Sequence, residues 1–163
     1  MGRRGGGYYQ IKEFYKYLKN PDKYKGNRPI TLRSSWEIKV ASWLDRDPNC
    51  IEWNSETIVI PYTFYDPKKG KYRKHRYFTD FYMKVRSTSG AIEEYLVEVK
   101  PFNETKEPKK PKVHTAAYSR RCFNYLKNKA KWKAAEEYCE YQRTELGRNI
   151  KFMVLTEHDI PVK

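Results

Sequence analysis

The stretch from residue 75 to residue 100 constrains the fold of this chain more than any other. Its sequence, HRYFTDFYMKVRSTSGAIEEYLVEVK, predicts two β-strands joined by a turn at residues 87–90. Asp80 falls in the first predicted strand, and Glu98 and Lys100 lie near the end of the second. Because successive side chains of a strand point to opposite faces, Glu98 and Lys100 share one face. The stretch therefore predicts a hairpin that brings two acids and a lysine together.

The composition is strongly basic but still suited to a folded domain. The chain has 163 residues, a length that fits one domain with a sizeable core. Lys and Arg number 34 against 20 acids, which gives a formal net charge of +14 and favours a polyanion as partner. Aromatic residues make up 16% of the chain, far more than a disordered basic tail contains.

The cysteines and the hydropathy pattern predict a cytoplasmic protein without a membrane partner. Cys50, Cys122 and Cys139 cannot all pair and lack CxxC spacing, which indicates a reducing compartment. No apolar run is long enough to span a bilayer. The start, MGRRGGG, lacks the apolar stretch of a secretory signal.

The expected domain organisation is an N-terminal arm followed by one domain. Residues 1–29 are expected to form a mobile arm and a short helix over residues 8–18, where apolar and aromatic residues recur at helical spacing. Residues 30–163 are expected to form the single domain. Within it, residues 51–65 are β-rich, and six basic residues in 68–76 indicate a hairpin whose tip is largely solvated.

Glu37 has two readings. Ser34 precedes it by three residues, a capping box that predicts a helix start, and Pro48 marks the end of that helix. The carboxylate could therefore serve the helix cap alone. Glu37 also shares a helix face with Val40 and Leu44, and an inward-facing carboxylate is costly unless a cation meets it. The second reading makes Glu37 a site residue.

The chain after Lys100 predicts a basic loop, helix and strand. Residues 101–112 are rich in proline and charge and indicate an exposed loop beside the site. Residues 115–146 are good helix formers, in one helix or two, with Gly147 as the stop, and the sequence IKFMVLT predicts a last strand. Residues 100–133 contain 11 Lys or Arg and 2 acids.

A basic loop and helix that flank an acidic centre suit a phosphodiester backbone. The side chains predicted to contact DNA are basic residues close to the acids in sequence or in the segment that follows them. They are His75, Arg76, Lys109, Lys110, Lys112, Arg120 and Arg121.

The acids predict a metal site. Mg²⁺ prefers oxygen ligands, and Asp80, Glu98 and the backbone carbonyl of Val99 could hold one ion, with Glu37 assisting or binding a second. Mn²⁺ could substitute. Such a metal lowers the pKa of a bound water, and Lys100 could orient that water or stabilise developing negative charge. The expected reaction is hydrolysis of a phosphodiester by a Mg²⁺-dependent nuclease.

Two other readings of these residues stay open. Glu98 and Lys100 could be an ordinary ion pair on an exposed strand, since Glu-x-Lys alone is a weak signal. A zinc site built from His75, His114 or His158 with the cysteines is a third idea, but it lacks recognisable ligand spacing.

Helical Glu37, Asp80 in RYFTDF and the sequence Glu98-Val99-Lys100 resemble the PD-(D/E)xK nuclease superfamily. With SSWEIKVASWLD, IVIPY, EVKP and FMVLTEHDI, the chain is similar to TnsA-type nucleases and to the head-completion nucleases of T-even-type tailed phages. The resemblance implies an α/β, restriction-endonuclease-like core of order αβββαβ, with a central mixed sheet flanked by helices. It implies Asp80 and Glu98 as metal ligands, Lys100 as the catalytic lysine and Glu37 as the helical acid. Thr79 replaces the motif's proline, which weakens the match slightly.

The phage resemblance also implies a biological role. That role is the trimming of packaged DNA before head and tail join, in the host cytoplasm or in association with the virion. The implied partners are DNA and phage head or neck proteins. The competing expectation is a non-catalytic, DNA-binding structural protein of the head–neck region that keeps a nuclease-like fold.

Overall fold

The computed structural model describes residues 14–160. The helices are α1 (Ser35–Arg46) and α2 (Ala116–Leu146). The strands are β1 (Cys50–Ser55), β2 (Val59–Asp66), β3 (Lys71–Phe78), β4 (Phe81–Arg86), β5 (Ile92–Val99) and β6 (Ile150–Leu155). Short 3-10 segments span Phe14–Tyr17, Pro21–Lys23 and Phe102–Thr105.

A four-stranded mixed sheet forms the centre, in the order β1-β4-β5-β6. β4 runs antiparallel to β1 and β5, whereas β6 runs parallel to β5. A parallel neighbour requires a crossover connection, and α2 supplies it. β2 and β3 pair with each other in a separate two-stranded sheet. With this β2–β3 hairpin set aside, the order is αβββαβ, so the predicted fold class is confirmed.

The two faces of the central sheet carry different apolar clusters. The cluster on the α1 side includes Val40, Ala41, Leu44, Trp53, Phe81, Met83, Val97 and Val99. The cluster on the α2 side includes Ile60, Tyr62, Tyr77, Tyr82, Leu96, Ala135, Cys139 and Ile150. The sheet therefore lies between α1 on one face and α2 with the β2–β3 hairpin on the other.

The first strand predicted in residues 75–100 is two strands, so its placement as one continuous element is wrong. β3 ends at Phe78 and β4 begins at Phe81, and the two belong to different sheets. Asp80 consequently lies in the bend between them, not within a strand. The reason is tertiary packing: Tyr77 packs in the cluster on the α2 side, whereas Phe81 packs in the cluster on the α1 side. The chain changes layers at this bend.

The turn predicted at residues 87–90 and the strand after it are present. The Ser87 N–H donates to the Ala91 carbonyl at 2.8 Å, and Gly90 adopts φ +85°. A positive φ is easily reached by glycine, which has no Cβ to clash. β5 then carries Glu98 to the end of the central sheet.

Both helices begin and end at the predicted signals. Ser34 caps α1 and accepts a hydrogen bond from the Glu37 N–H at 3.1 Å. Thr115 caps α2 in the same way through the Tyr118 N–H. α2 is one continuous helix of 31 residues, which settles the choice between one helix and two. It ends at Gly147, whose φ is +65°.

The N-terminal region is described only from Phe14 onward. The expected arm over residues 1–7 and the first part of the helix expected over residues 8–18 lie outside the described residues. The described part of that helix is a 3-10 segment, Phe14–Tyr17. Phe14 and Tyr24 pack in the cluster on the α1 side. The domain boundary between residues 29 and 30 stays a prediction.

Cys50, Cys122 and Cys139 are free thiols. Within residues 14–160, no helix combines the length and the apolar character needed to cross a membrane.

Candidate active site

Glu98, at the end of β5, is the best-anchored acid of the site. Its side chain is buried, with 4% of the residue exposed. Oε1 lies 3.3 Å from the Lys100 Nζ, and Oε2 accepts a hydrogen bond of 2.6 Å from the Tyr77 hydroxyl. The predicted shared face of Glu98 and Lys100 therefore corresponds to a direct ion pair. The buried tyrosine fixes the orientation of the carboxylate.

Asp80 joins this pair from the bend between β3 and β4. Its Oδ2 accepts a hydrogen bond of 2.7 Å from the Val99 N–H, so Asp80 is tied to the residue between Glu98 and Lys100. On its other side, the Asp80 carbonyl accepts from the Glu56 N–H at 3.1 Å. The bend thus places an acid beside the end of β5 although Asp80 belongs to neither strand.

Glu37 serves the helix cap and also faces the other acids. Its Oε2 accepts from the Arg33 N–H at 2.8 Å, and its Oε1 accepts from the Ser34 hydroxyl at 3.1 Å. Glu37 is nonetheless buried, with 6% exposed. Burial raises its pKa, and the negative charges of Glu56 and Glu98 raise it further. The two readings of Glu37 are therefore compatible.

The three acids concentrate negative charge in a region shielded from water. Burial raises the pKa of Asp80 well above its ordinary value, and the charges of Glu98 and Glu37 add to that effect. The Val99 N–H and Lys100 oppose it. Carboxylates in such surroundings ionise fully when a cation approaches them. The donor set of carboxylate oxygens and its charge fit a hard divalent cation.

Two lysines supply positive charge next to these acids. Burial acts to lower the pKa of Lys100, but the charges of Glu98 and Asp80 outweigh it, so the pKa is raised and Lys100 stays protonated. Lys131 reaches in from α2, and its Nζ lies 5.4 Å from the centre of the Tyr77 ring. Burial lowers the pKa of Lys131, partly offset by the charge of Glu98.

Sequence reasoning missed Tyr77, Lys131 and the pair formed by Arg33 and Glu56. The Arg33 guanidinium binds the Glu56 carboxylate, and the Glu56 N–H donates a hydrogen bond to the Asp80 carbonyl. Lys131 falls within the basic segment that follows Lys100, but its spacing did not separate it from the other lysines there. Tyr77 offered a weak signal, since it lies close to Asp80 in the sequence.

Two of the predicted DNA contacts lie on β3. His75 is half-buried and stacks on Tyr62, with ring centres 5.3 Å apart. Arg76 is exposed, and its guanidinium lies 5.1 Å from the centre of the Phe78 ring. Because side chains alternate along a strand and Tyr77 faces α2, Arg76 points away from the Tyr77–Glu98 contact. The structure therefore brings His75, but not Arg76, to the face that carries Tyr77.

The other predicted DNA contacts lie in the loop before α2 and in its first turns. They are Lys109, Lys110, Lys112, Arg120 and Arg121, all exposed. Their role in binding stays a prediction.

The zinc alternative gains no support from the geometry. Among residues 14–160, no group of three or more His, Cys, Asp and Glu side chains is arranged to hold a metal ion. His114 pairs with the Ser119 hydroxyl at 2.6 Å, and His158 packs edge-on against Phe102. Glu37, Asp80 and Glu98 therefore form no closed cage of protein ligands. A Mg²⁺ site does not need one, since this ion is commonly held by one or two carboxylates, waters and substrate phosphate.

Comparisons with known proteins identify the family. The sequence model described as "TnsA-like endonuclease N terminal" matches residues 47–157, a range that contains Asp80, Glu98 and Lys100 but not Glu37. The head completion nuclease of Enterobacteria phage T4 is 43% identical over 144 residues, which cover 85% of this chain and 87% of that protein. No solved structure matches the chain. The expected PD-(D/E)xK resemblance is confirmed: the chain belongs to the family of TnsA-like endonucleases.

Proposed function

We propose that this endonuclease is a Mg²⁺-dependent deoxyribonuclease whose active site is formed by Asp80, Glu98 and Lys100, with Glu37 as the helical acid. The observation that carries the proposal is the convergence of Asp80, Glu98 and Lys100 at the end of β5. There Asp80 binds the Val99 N–H and Glu98 pairs with Lys100. The same charges on an exposed strand would form an ordinary ion pair, but Glu98 is buried.

Asp80, Glu98 and the Val99 carbonyl would hold the metal ion, and Glu37 would assist. Mg²⁺, or Mn²⁺ in its place, supplies a bound water of lowered pKa and neutralises charge on the attacked phosphate. Within the protein, the Tyr77 hydroxyl and the Val99 N–H fix the two carboxylates before substrate arrives. This preorganisation removes the need to reorient them during the reaction.

Lys100 orients the attacking water and stabilises negative charge that develops on the phosphate. Its raised pKa keeps it protonated at neutral pH, so it acts as a cation and hydrogen-bond donor. The basic loop and the start of α2 hold the DNA backbone on either side of the cut phosphodiester.

The biological role follows from the relative in phage T4, which is named a head completion nuclease. We place this protein in the same process, as the nuclease that trims packaged DNA before the tail joins the head. It would act in the host cytoplasm or in association with the virion, with head or neck proteins as partners.

Cleavage of circular DNA, of end-blocked linear DNA and of linear DNA with free ends tests the activity. All three should be cut with Mg²⁺ or Mn²⁺ and left intact with EDTA. Glu98→Gln keeps an acceptor for the Tyr77 hydroxyl but removes the charge, and Lys100→Ala removes the cation. Each should lower the cleavage rate by about 100-fold or more. Lys151→Ala, on the exposed side of β6, is the matched control and should cut like the parent.

Folded parent protein that cuts none of the three DNAs with either metal would favour the non-catalytic structural alternative. Glu98→Gln or Lys100→Ala variants that cut at the parent's rate would place the active site elsewhere. Cleavage of circular DNA would show endonuclease action on DNA, and progressive loss from free ends alone would show exonuclease action.

A further inference from the structure

A cavity of about 680 Å³ lies between the segment after β5 and the first half of α2. Phe102 forms part of one wall, and Asn124, Tyr125 and Asn128 line the side of α2. Asn128 is nearly buried, with 9% exposed. A volume in this range is large enough for a small organic group.

The lining is mixed, unlike that of a purely basic phosphate site. Glu104 and Glu107 line the cavity together with its basic residues. Acids and amides, however, bind the donors and acceptors along the edge of a nucleobase, and aromatic rings stack on its face. Phe102 and Tyr125 provide rings, and Asn124 provides an amide. These rings and this amide are suited to contact a nucleobase, not the sugar-phosphate backbone that carries it.

Basic side chains line the same cavity. They are Lys106, Lys109 and Arg121, all exposed, so a phosphate next to the cavity would meet cations. A nucleotide whose base entered the cavity would therefore find positive charge for its phosphate.

The cavity lies close to the active site along both of the elements that line it. The 3-10 segment that carries Phe102 begins two residues after Lys100, and the charge of Glu104 acts on Lys100. On α2, Asn124, Asn128 and Lys131 follow each other at spacings of four and three residues, so they share one face. The rise per residue separates Asn128 from Lys131 by about 4.5 Å along the helix axis. A strand held at the active site can therefore reach the cavity with its next base.

We propose that this cavity binds one unpaired nucleobase of the DNA strand whose phosphate lies at the active site. The base must be unpaired, because a base within a duplex is stacked on both faces and cannot enter. The inference deepens the proposed nuclease function and rests on it, since that function supplies the strand. It names the substrate class as DNA that is single-stranded, frayed or distorted next to the cut.

Binding of a short duplex with a single-stranded tail, measured in EDTA so that the DNA stays intact, tests the cavity. Each base of the tail and junction is replaced in turn by an abasic sugar. In the parent, one position should lose about tenfold in affinity. Tyr125→Ala should weaken binding of the intact DNA, and the abasic change should then cause little further loss. Asn124→Ala is a second, exposed probe of the same cavity.

Tyr141→Ala is the matched control, because Tyr141 lies on an exposed part of α2 and outside the cavity. Its binding and its abasic profile should equal those of the parent, and thermal unfolding shows that each variant folds. An equal abasic penalty in the parent and in both cavity variants would overturn the proposal. So would a parent with no sensitive position, or a free deoxynucleoside monophosphate that binds the cavity more tightly than the tailed DNA.

The outcomes for the two proposals are separable. Protein that shows the abasic penalty in EDTA but cuts no DNA with Mg²⁺ or Mn²⁺ would overturn the nuclease proposal and support the cavity. Protein that cuts DNA but shows no abasic penalty that depends on Tyr125 would support the nuclease proposal and overturn the cavity proposal.

Discussion

Both carboxylate oxygens of Glu98 have a partner, the Tyr77 hydroxyl on one side and Lys100 on the other. A buried charge is stabilised by such charge-assisted hydrogen bonds, which also fix its geometry. The position of Lys131 nearby is harder to explain by a contribution to stability. Burial lowers the pKa of Lys131, and its nearest described aromatic contact is the Tyr77 ring. A residue kept at such a cost points to a role in function.

Lys131→Met tests this role. Methionine keeps the length and apolar stem of the lysine but removes the charge near Glu98 and Asp80. We expect the cleavage rate to fall about 10- to 100-fold, because less positive charge then faces the phosphate. The free energy of unfolding should stay the same or rise, since a desolvated cation is removed. DNA cleavage and urea unfolding measure the two effects.

Lys133→Met is the control for Lys131→Met. Lys133 lies two residues further along α2, and its side chain is 79% exposed beside Glu137. Lys133→Met makes the same charge change at a solvated position, where an ion pair contributes little to stability. Equal loss of cleavage in both variants would show a general charge effect and argue against a specific role for Lys131.

Among single residues of the site, the sequence predicted those whose partners are close along the chain. Glu98 and Lys100 follow from strand alternation, and Glu37 from its capping box and helix face. The contact between Tyr77 and Lys131 could not be predicted, because it exists only after α2 packs against the β2–β3 hairpin. No local pattern separates Lys131 from the other lysines around it.

Among the elements, the boundary between β3 and β4 shows where sequence patterns stop being informative. No glycine or proline interrupts residues 75–86, yet the chain changes layers at Thr79 and Asp80. Which cluster receives Tyr77 and which receives Phe81 depends on contacts distant in sequence. The strands, helix caps and turn were predictable because their signals are local.

Glu94 joins β5 to the chain that follows α2, and its pH dependence can be predicted. Arg148 makes two hydrogen bonds to it, and this contact lowers the pKa of Glu94. The stabilisation is therefore present above the unfolded pKa of about 4.3 and is lost as the pH falls through the lowered folded value. Glu94→Gln should cost about 1–2 kcal/mol of unfolding free energy at pH 7, and less near pH 3.

Urea unfolding at several pH values measures this difference. Glu93→Gln is the control, because Glu93 lies next to Glu94 and its amide variant can still accept from the Tyr95 hydroxyl. It should change the unfolding free energy little at neutral pH. A penalty for Glu94→Gln that did not shrink on acidification would show that packing, and not the ion pair, is responsible.

Gly147 ends α2 with φ +65°, and a Cβ added there would meet no atom within 4 Å. A substitution therefore tests backbone strain without a clash. Gly147→Ala should lower the unfolding free energy by about 1 kcal/mol, since alanine disfavours a left-handed backbone. Asparagine tolerates this conformation, so Gly147→Asn should cost less in the same thermal unfolding experiment. Equal losses would contradict the strain argument.

The net charge of the whole molecule is +14, and two prominent basic regions lie at different places in the fold. One is the tip of the β2–β3 hairpin, with Lys68, Lys69 and Lys71. The other is the loop of residues 106–115, which follows the 3-10 segment after β5 and borders the cavity beside the active site. Composition predicts a polyanionic partner but cannot say which region touches it. The topology favours the loop, because the chain leaves the active site through it.

Two triple variants with the same charge change separate these regions. Replacing Lys109, Lys110 and Lys112 with Ser should weaken DNA binding at low salt. It should also make the slope of log K against log salt shallower by up to about 2.7, since each lost phosphate contact removes about 0.9. Replacing Lys68, Lys69 and Lys71 with Ser should change that slope much less, because the hairpin tip lies at the end of β3 remote from Asp80. Binding measured between low and moderate salt in EDTA gives both slopes.

If the tip variant flattened the slope as much as the loop variant, DNA would contact the hairpin as well, and the contact surface would extend across the face that carries Arg76.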